Sequence, residues 1–114
     1  MSDTVLPIAC WTNRCTCTSG FTVWGGVGND RILGGDHPDR MIGGPGNDEL
    51  RGHNGNDELK GGTGQDLLIG GFGNDDLFGG DAVDILRGSG GTDTGDGGPG
   101  PDTCTSIENP TRCP

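Results

Sequence analysis

The chain has 114 residues, of which 26 are glycine, 28% are hydrophobic, 4% are aromatic and none is tyrosine, so it holds at most one domain and cannot build a thick apolar core. Its formal charge of −10 excludes the basic surface that nucleic acid or an anionic membrane would require, and leaves cations as the natural partner. A chain this acidic and this poor in apolar residues is expected to stay largely unfolded until something neutralises it.

The first predicted element is an irregular N-terminal cap, residues 1–24. It carries Val5, Leu6, Ile8, Phe21 and both tryptophans, Trp11 and Trp24, which is most of the large apolar bulk. The start, MSDTVLPIACW, has neither a basic n-region nor a long apolar h-region, so no signal peptide is expected. No run reaches membrane-spanning length, so no membrane insertion is expected either. Three cysteines lie here, and Cys10 is expected to pair with Cys15 or Cys17, leaving one as a free thiol or an intermolecular link. Zinc is the rival reading of this segment. CxxxxCxC is not a standard ligand spacing, however, and both histidines, His37 and His53, lie further on, where solvated surface positions are expected.

From Gly25 to Thr105 the chain divides into nine units of nine residues without insertion or deletion: GGVGNDRIL, GGDHPDRMI, GGPGNDELR, GHNGNDELK, GGTGQDLLI, GGFGNDDLF, GGDAVDILR, GSGGTDTGD and GGPGPDTCT. The sixth place is always aspartate: Asp30, Asp39, Asp48, Asp57, Asp66, Asp75, Asp84, Asp93 and Asp102. The eighth place runs Ile32, Met41, Leu50, Leu59, Leu68, Leu77 and Leu86, then weakens to Gly95 and Cys104. The first six residues of a unit are turn chemistry, and the last three have the inside–outside alternation of a very short strand. Such a unit cannot stand alone, but stacked units bury the eighth residues in a thin continuous core. Two units make one coil, so units of the same parity stack on the same edge. Carboxylates stacked at roughly 4.8 Å repel one another unless a cation lies between them. Carboxylates combined with neutral turn carbonyls suit Ca²⁺ better than the tight, hydrated octahedron of Mg²⁺.

The pattern G-G-x-G-x-D-x-U-x resembles the RTX, or haemolysin-type, calcium-binding nonapeptide repeat, with full turns in GGVGND, GGPGND, GGTGQD, GGFGND and GGPGPD. The resemblance implies an all-β parallel β-roll, a right-handed β-solenoid with two nonapeptide repeats per coil. It places the repeats at 25–105 between short irregular caps at 1–24 and 106–114. It also implies that the sixth-place aspartates share calcium with the unit two further on, helped by turn carbonyls at Gly26, Gly28, Gly44, Gly46, Gly55, Gly62, Gly64, Gly71, Gly73, Gly80, Gly98 and Gly100. Pro38 and Val83 are read as replacing the glycine in the second half of the turn, and His53 and Ser89 as replacing the second glycine. By this reading the odd edge (Asp30, Asp48, Asp66, Asp84, Asp102) keeps four intact turns of five, and the even edge (Asp39, Asp57, Asp75, Asp93) one of four. The odd edge is therefore expected to bind calcium better. Four odd gaps and three even ones set a ceiling of about seven ions.

Three blander readings compete. A solvated linker would not keep an apolar residue two places after the acids, and an ice-binding ladder needs a regular column that the third places do not supply. Aspartates acting only as turn formers remain an option chiefly for GGDHPD, GGDAVD and GSGGTD.

The last predicted element, residues 106–114, supplies Ile107 and two prolines, and a Cys104–Cys113 disulfide is expected to clamp the final coil. Outward places seven and nine are mostly charged. Leu67, Ile69 and Ile85 should meet on the odd face, and Ile42 and Phe78 lie on the other, as candidate contacts for a partner or a second copy. No nucleophile elbow or acid–base pair stands out, and the 24 residues before the repeat are too few for a catalytic domain, so no enzyme is expected. Cap cysteines and calcium dependence favour an oxidising, secreted or cell-surface setting. The leading expectation is a calcium-binding module that folds when Ca²⁺ arrives. The alternative is a calcium-stiffened part of a larger assembly (a phage virion, surface layer or extracellular appendage), joined through the apolar patches or an unpaired cysteine.

Overall fold

The computed structural model describes residues 14–16, 22–35, 38–111 and 113. Among them there is no helix, and the chain winds into a β-solenoid of about five turns made of two parallel sheets. One sheet orders β1 (Arg14–Thr16), β3 (Arg31–Leu33), β5 (Glu49–Arg51), β7 (Leu67–Ile69), β9 (Ile85–Arg87) and β11 (Thr103–Thr105). The other orders β2 (Thr22–Trp24), β4 (Arg40–Ile42), β6 (Glu58–Gly62), β8 (Asp76–Gly80), β10 (Thr94–Asp96) and β12 (Asn109–Thr111). Each unit turns through its glycine-rich half and spends its last three residues on a strand, as expected for an all-β parallel β-roll.

The register follows from two units per coil. Arg31 lies opposite Glu49, Glu49 opposite Leu67, Leu67 opposite Ile85, and Ile85 opposite Thr103. With the side chains alternating, the eighth place always points inward. Val23, Ile32, Met41, Leu50, Leu59, Leu68, Leu77 and Leu86 form the core, each at most 1% exposed. Leu67 and Ile69 flank the buried Leu68 on the outer face, with Ile85 beside Leu67. On the opposite sheet Trp24, Ile42, Lys60 and Phe78 form an outer ladder.

The same two sheets extend past the nine units in both directions. β1 and β2 precede Gly25, and Val23 joins the line of eighth-place residues. At the other end, Gly95 leaves the core no side chain, and Ile107 fills that space: a Cβ on Gly95 would lie 2.5 Å from Ile107 Cδ1. Asn109 donates to the Asp93 carbonyl, so alternation along β12 turns Pro110 toward the open edge, where it has no N–H to offer an incoming strand. The expected disulfide joins Cys104 to Cys113. The expected pairing within the N-terminal segment, and the zinc reading of it, fall on Cys10 and Cys17, which lie outside the described residues, as does His37.

Candidate metal centre

Each turn is built around its aspartate. A Cβ placed on Gly25 would lie 2.7 Å from Asp30 Oδ2 and 2.8 Å from the Gly43 carbonyl oxygen, and the same collision recurs at Gly34, Gly43, Gly52, Gly61, Gly79 and Gly88. The carboxylate thus folds back inside its own turn, against a first-place glycine and the first-place carbonyl of the next coil. All nine units begin with glycine, so the sequence itself carries this requirement, beyond the general turn chemistry of the other glycines.

The second and fourth places hold the turn open. All twelve glycines singled out from the sequence have φ between 81° and 120°, and Gly91 joins them at 91°. A Cβ on Gly44 would lie 2.8 Å from the Gly26 carbonyl oxygen, and one on Gly62 would lie 2.7 Å from that of Gly44, so these places form columns of stacked carbonyls. His53 (φ 70°) and Ser89 (φ 73°) take the left-handed conformation in place of a second glycine, as their positions predict. The fourth-place reading needs correction. The left-handed substitute in GGDAVD is Ala82 (φ 74°), one residue before Val83, because the conformational demand falls on the fourth place and not the fifth. Pro38 is likewise a fifth-place residue, so its fixed φ does not oppose the turn.

The aspartates form two continuous columns. On the odd edge the amide of Asp30 donates to Asp48 Oδ1, Asp48 to Asp66, Asp66 to Asp84, and Asp84 to Asp102, each at 2.8 Å. On the even edge Asp39 donates to Asp57 at 2.7 Å, and Asp57 to Asp75 and Asp75 to Asp93 at 2.8 Å. Beyond Asp93 the acceptor is Glu108 Oε1, at 2.8 Å. Fifth-place side chains run a parallel, more exposed ladder: Asn47 N–H donates to Asn29 Oδ1, Gln65 to Asn47, Asn74 to Asn56 and Thr92 to Asn74. Neither this ladder nor Glu108 was foreseen. The recurrent Asn or Gln before the aspartate was the signal for the first, whereas Glu108 lies outside the period.

All nine aspartates are buried, at 0–4% exposure. Seven of their second oxygens, Oδ2 of Asp48, Asp57, Asp66, Asp75, Asp84, Asp93 and Asp102, are buried with no hydrogen-bond partner. Burial pushes the carboxyls up, against the pull of the backbone amide and helped by neighbouring acids of the column. Asp57 rises to about 8, Asp66 and Asp75 to about 7, Asp48 and Asp84 to about 6, and Asp93 rises as well. Four basic side chains of the described residues are engaged elsewhere. Arg31 and Arg51 meet Glu49, and Arg40 and Lys60 meet Glu58, all on the outer faces.

A buried anionic oxygen left unpartnered is costly, so each column is incomplete as a set of protein groups alone. What it lacks is positive charge offered to oxygen. Among the described residues no three Asp, Glu, His or Cys side chains converge on one point, which does not fit a zinc centre. One or two carboxylates beside columns of neutral carbonyls are the donor set of a hard cation with a flexible shell, and they fit Ca²⁺.

Four copies of the RTX calcium-binding nonapeptide repeat model match the chain, at residues 22–50, 33–68, 51–86 and 69–104. No curated protein and no solved structure matches it. Since the repeat spans 22–104, well over half the chain, and its periodic aspartates line both edges of a β-solenoid, the chain belongs to the RTX calcium-binding nonapeptide-repeat family.

Proposed function

We propose that this protein is a non-enzymatic calcium-binding module whose coils close when Ca²⁺ arrives, and that it works outside the cell or at its surface. The observation that carries the reading is the recurrence of buried Oδ2 atoms without partners along both columns of stacked aspartates, from Asp48 to Asp102 on one edge and from Asp57 to Asp93 on the other. When bound, Ca²⁺ supplies the positive charge and oxygen-seeking shell that this arrangement lacks. Asp30, Asp48, Asp66, Asp84 and Asp102 would hold it on one edge, and Asp39, Asp57, Asp75 and Asp93 on the other. The second- and fourth-place turn carbonyls complete the shells, for up to about seven ions. Because aspartates of successive coils share each gap, binding and coil closure are one equilibrium. The Cys104–Cys113 disulfide supports an oxidising, extracellular setting.

Far-UV circular dichroism during a Ca²⁺ titration at neutral pH, with Mg²⁺ as control, tests this. The expected result is a largely disordered chain in chelator that becomes β-rich with Ca²⁺ and not with Mg²⁺. A chain fully β-folded in chelator and unchanged by Ca²⁺ would refute it.

A second reading is a calcium-stiffened part of a larger assembly, such as a virion or surface layer. It is favoured by the apolar outer ladder Leu67–Ile85 with Ile69 alongside, and by Trp24 and Phe72, which are 53% and 71% exposed. Size measurement with and without Ca²⁺ separates the two: a monomer supports the free module, an ordered polymer the assembly.

A further inference from the structure

The last turn of the even edge is not made by a repeat unit. After Asp93 the chain runs into the C-terminal segment, where no aspartate stands eighteen residues on. The acceptor for the Asp93 amide is instead Glu108 Oε1, at 2.8 Å and fifteen residues away. The chain reaches this position three residues early, and the extra methylene of glutamate helps span the difference. A second group completes the likeness. In the repeats, the space at a first-place glycine is bounded by its own aspartate's Oδ2 and by the first-place carbonyl of the next coil. At Gly88 it is bounded by Asp93 Oδ2 and the Ser106 carbonyl oxygen. Asp93 is 0% exposed, and its Oδ2 has no hydrogen-bond partner. On the odd edge, by contrast, the last aspartate, Asp102, turns its amide back onto Gly100 of its own turn.

We infer that Glu108 and the Ser106 carbonyl act as a turn in disguise and close a further calcium site with Asp93 at the C-terminal end of the even edge. The inference rests on the calcium-binding reading and adds to it a ligand from outside the repeat. It makes the cap a participant in ion binding, with Ile107 seated under Gly95 and the Cys104–Cys113 bridge holding the segment in place.

The test is calcium stoichiometry by native mass spectrometry and calorimetry on the full chain, comparing wild type with Glu108→Gln. Glutamine keeps the carbonyl oxygen that accepts from the Asp93 amide, so the segment stays docked while the charge is lost. The expected result is one calcium ion fewer, with the other sites unchanged. If wild type binds no calcium, the calcium-binding reading itself falls and takes this one with it. If wild type and Glu108→Gln bind the same number with the same affinities, only this inference is overturned. A direct readout covers a variant that fails to fold. With paramagnetic Tb³⁺ exchanged for Ca²⁺ in the folded wild-type protein, the ¹³C resonance of the Glu108 carboxylate should broaden as strongly as that of Asp93, and one broadened no more than that of Glu49 on the outer face overturns the inference.

Discussion

The two edges of the roll carry the same stack of aspartates and reach it at different cost. On the odd edge the second places that bend left-handed are all glycine, at Gly26, Gly44, Gly62, Gly80 and Gly98. On the even edge His53 and Ser89 hold that bend with side chains attached. A left-handed residue other than glycine costs roughly 1–2 kcal/mol. Both edges nevertheless keep amide-to-carboxylate bonds of 2.7–2.8 Å. A degenerate repeat therefore need not mean a broken site. Stacking against intact neighbours imposes the turn, and the departure is carried as strain, so the edges should differ in affinity more than in shape.

The largest expected effect comes from pH in the absence of metal. Asp48, Asp57, Asp66, Asp75 and Asp84 sit between about 6 and about 8 in the fold, above the ordinary 3.8, so the folded state holds protons that the unfolded chain gives up. That stabilisation is fully present below about pH 4 and is lost as pH rises through 6 to 8. In chelator the β signal should thus be strongest in acid and collapse toward pH 8. Calcium affinity should rise over the same window, with Asp57 on the even edge the last to yield its proton. A β signal in chelator that strengthens with pH would contradict this.

A smaller effect is expected from Gly43→Ala on the odd edge and Gly52→Ala on the even edge. Each new Cβ would strike the unit's own carboxylate and a carbonyl of the next coil. Each should lose about 1–3 kcal/mol in urea melts with Ca²⁺ present. If Gly52→Ala proved harmless while Gly43→Ala did not, the even edge would not be a binding column. The smallest effect should be a gain: His53→Gly and Ser89→Gly should each add about 1 kcal/mol and narrow the affinity gap between edges, whereas Ala82→Gly should add a similar amount on the odd edge and widen it. Unchanged melting in all three would mean that the left-handed side chains are not strained.

Much of this was legible because the period is strict. The sixth-place aspartates, the eighth-place core and the two parallel columns all follow from counting in nines, and the glycines named from the pattern adopt the expected backbone. What escaped depended on breaks in the count. β1 pairs with β3 at an offset of seventeen rather than eighteen residues, and neither β1 nor β2 follows the paired glycines and aspartate that mark a strand of the repeats. Gly95 looked like decay of the core until Ile107 was found in its place. Glu108 carried no repeat signature, because a cap matches its partner in space while departing from it in sequence. The Val83 reading failed by miscounting a single place within the turn.

One consequence of the eighteen-residue register concerns how such a chain can change length. A gain or loss of eighteen residues slides one whole coil in or out and leaves every later aspartate on its own edge. A gain or loss of nine exchanges the edges for everything downstream. His53 and Ser89 both stand on the even edge, so a nine-residue slip between them would deal the strained turns one to each edge. The same slip would carry Asp93 and Glu108 together to the other edge, beneath the column that begins at Asp30. Copying errors in this gene are thus sorted by parity: even steps lengthen the rod, and odd steps reshuffle its two faces.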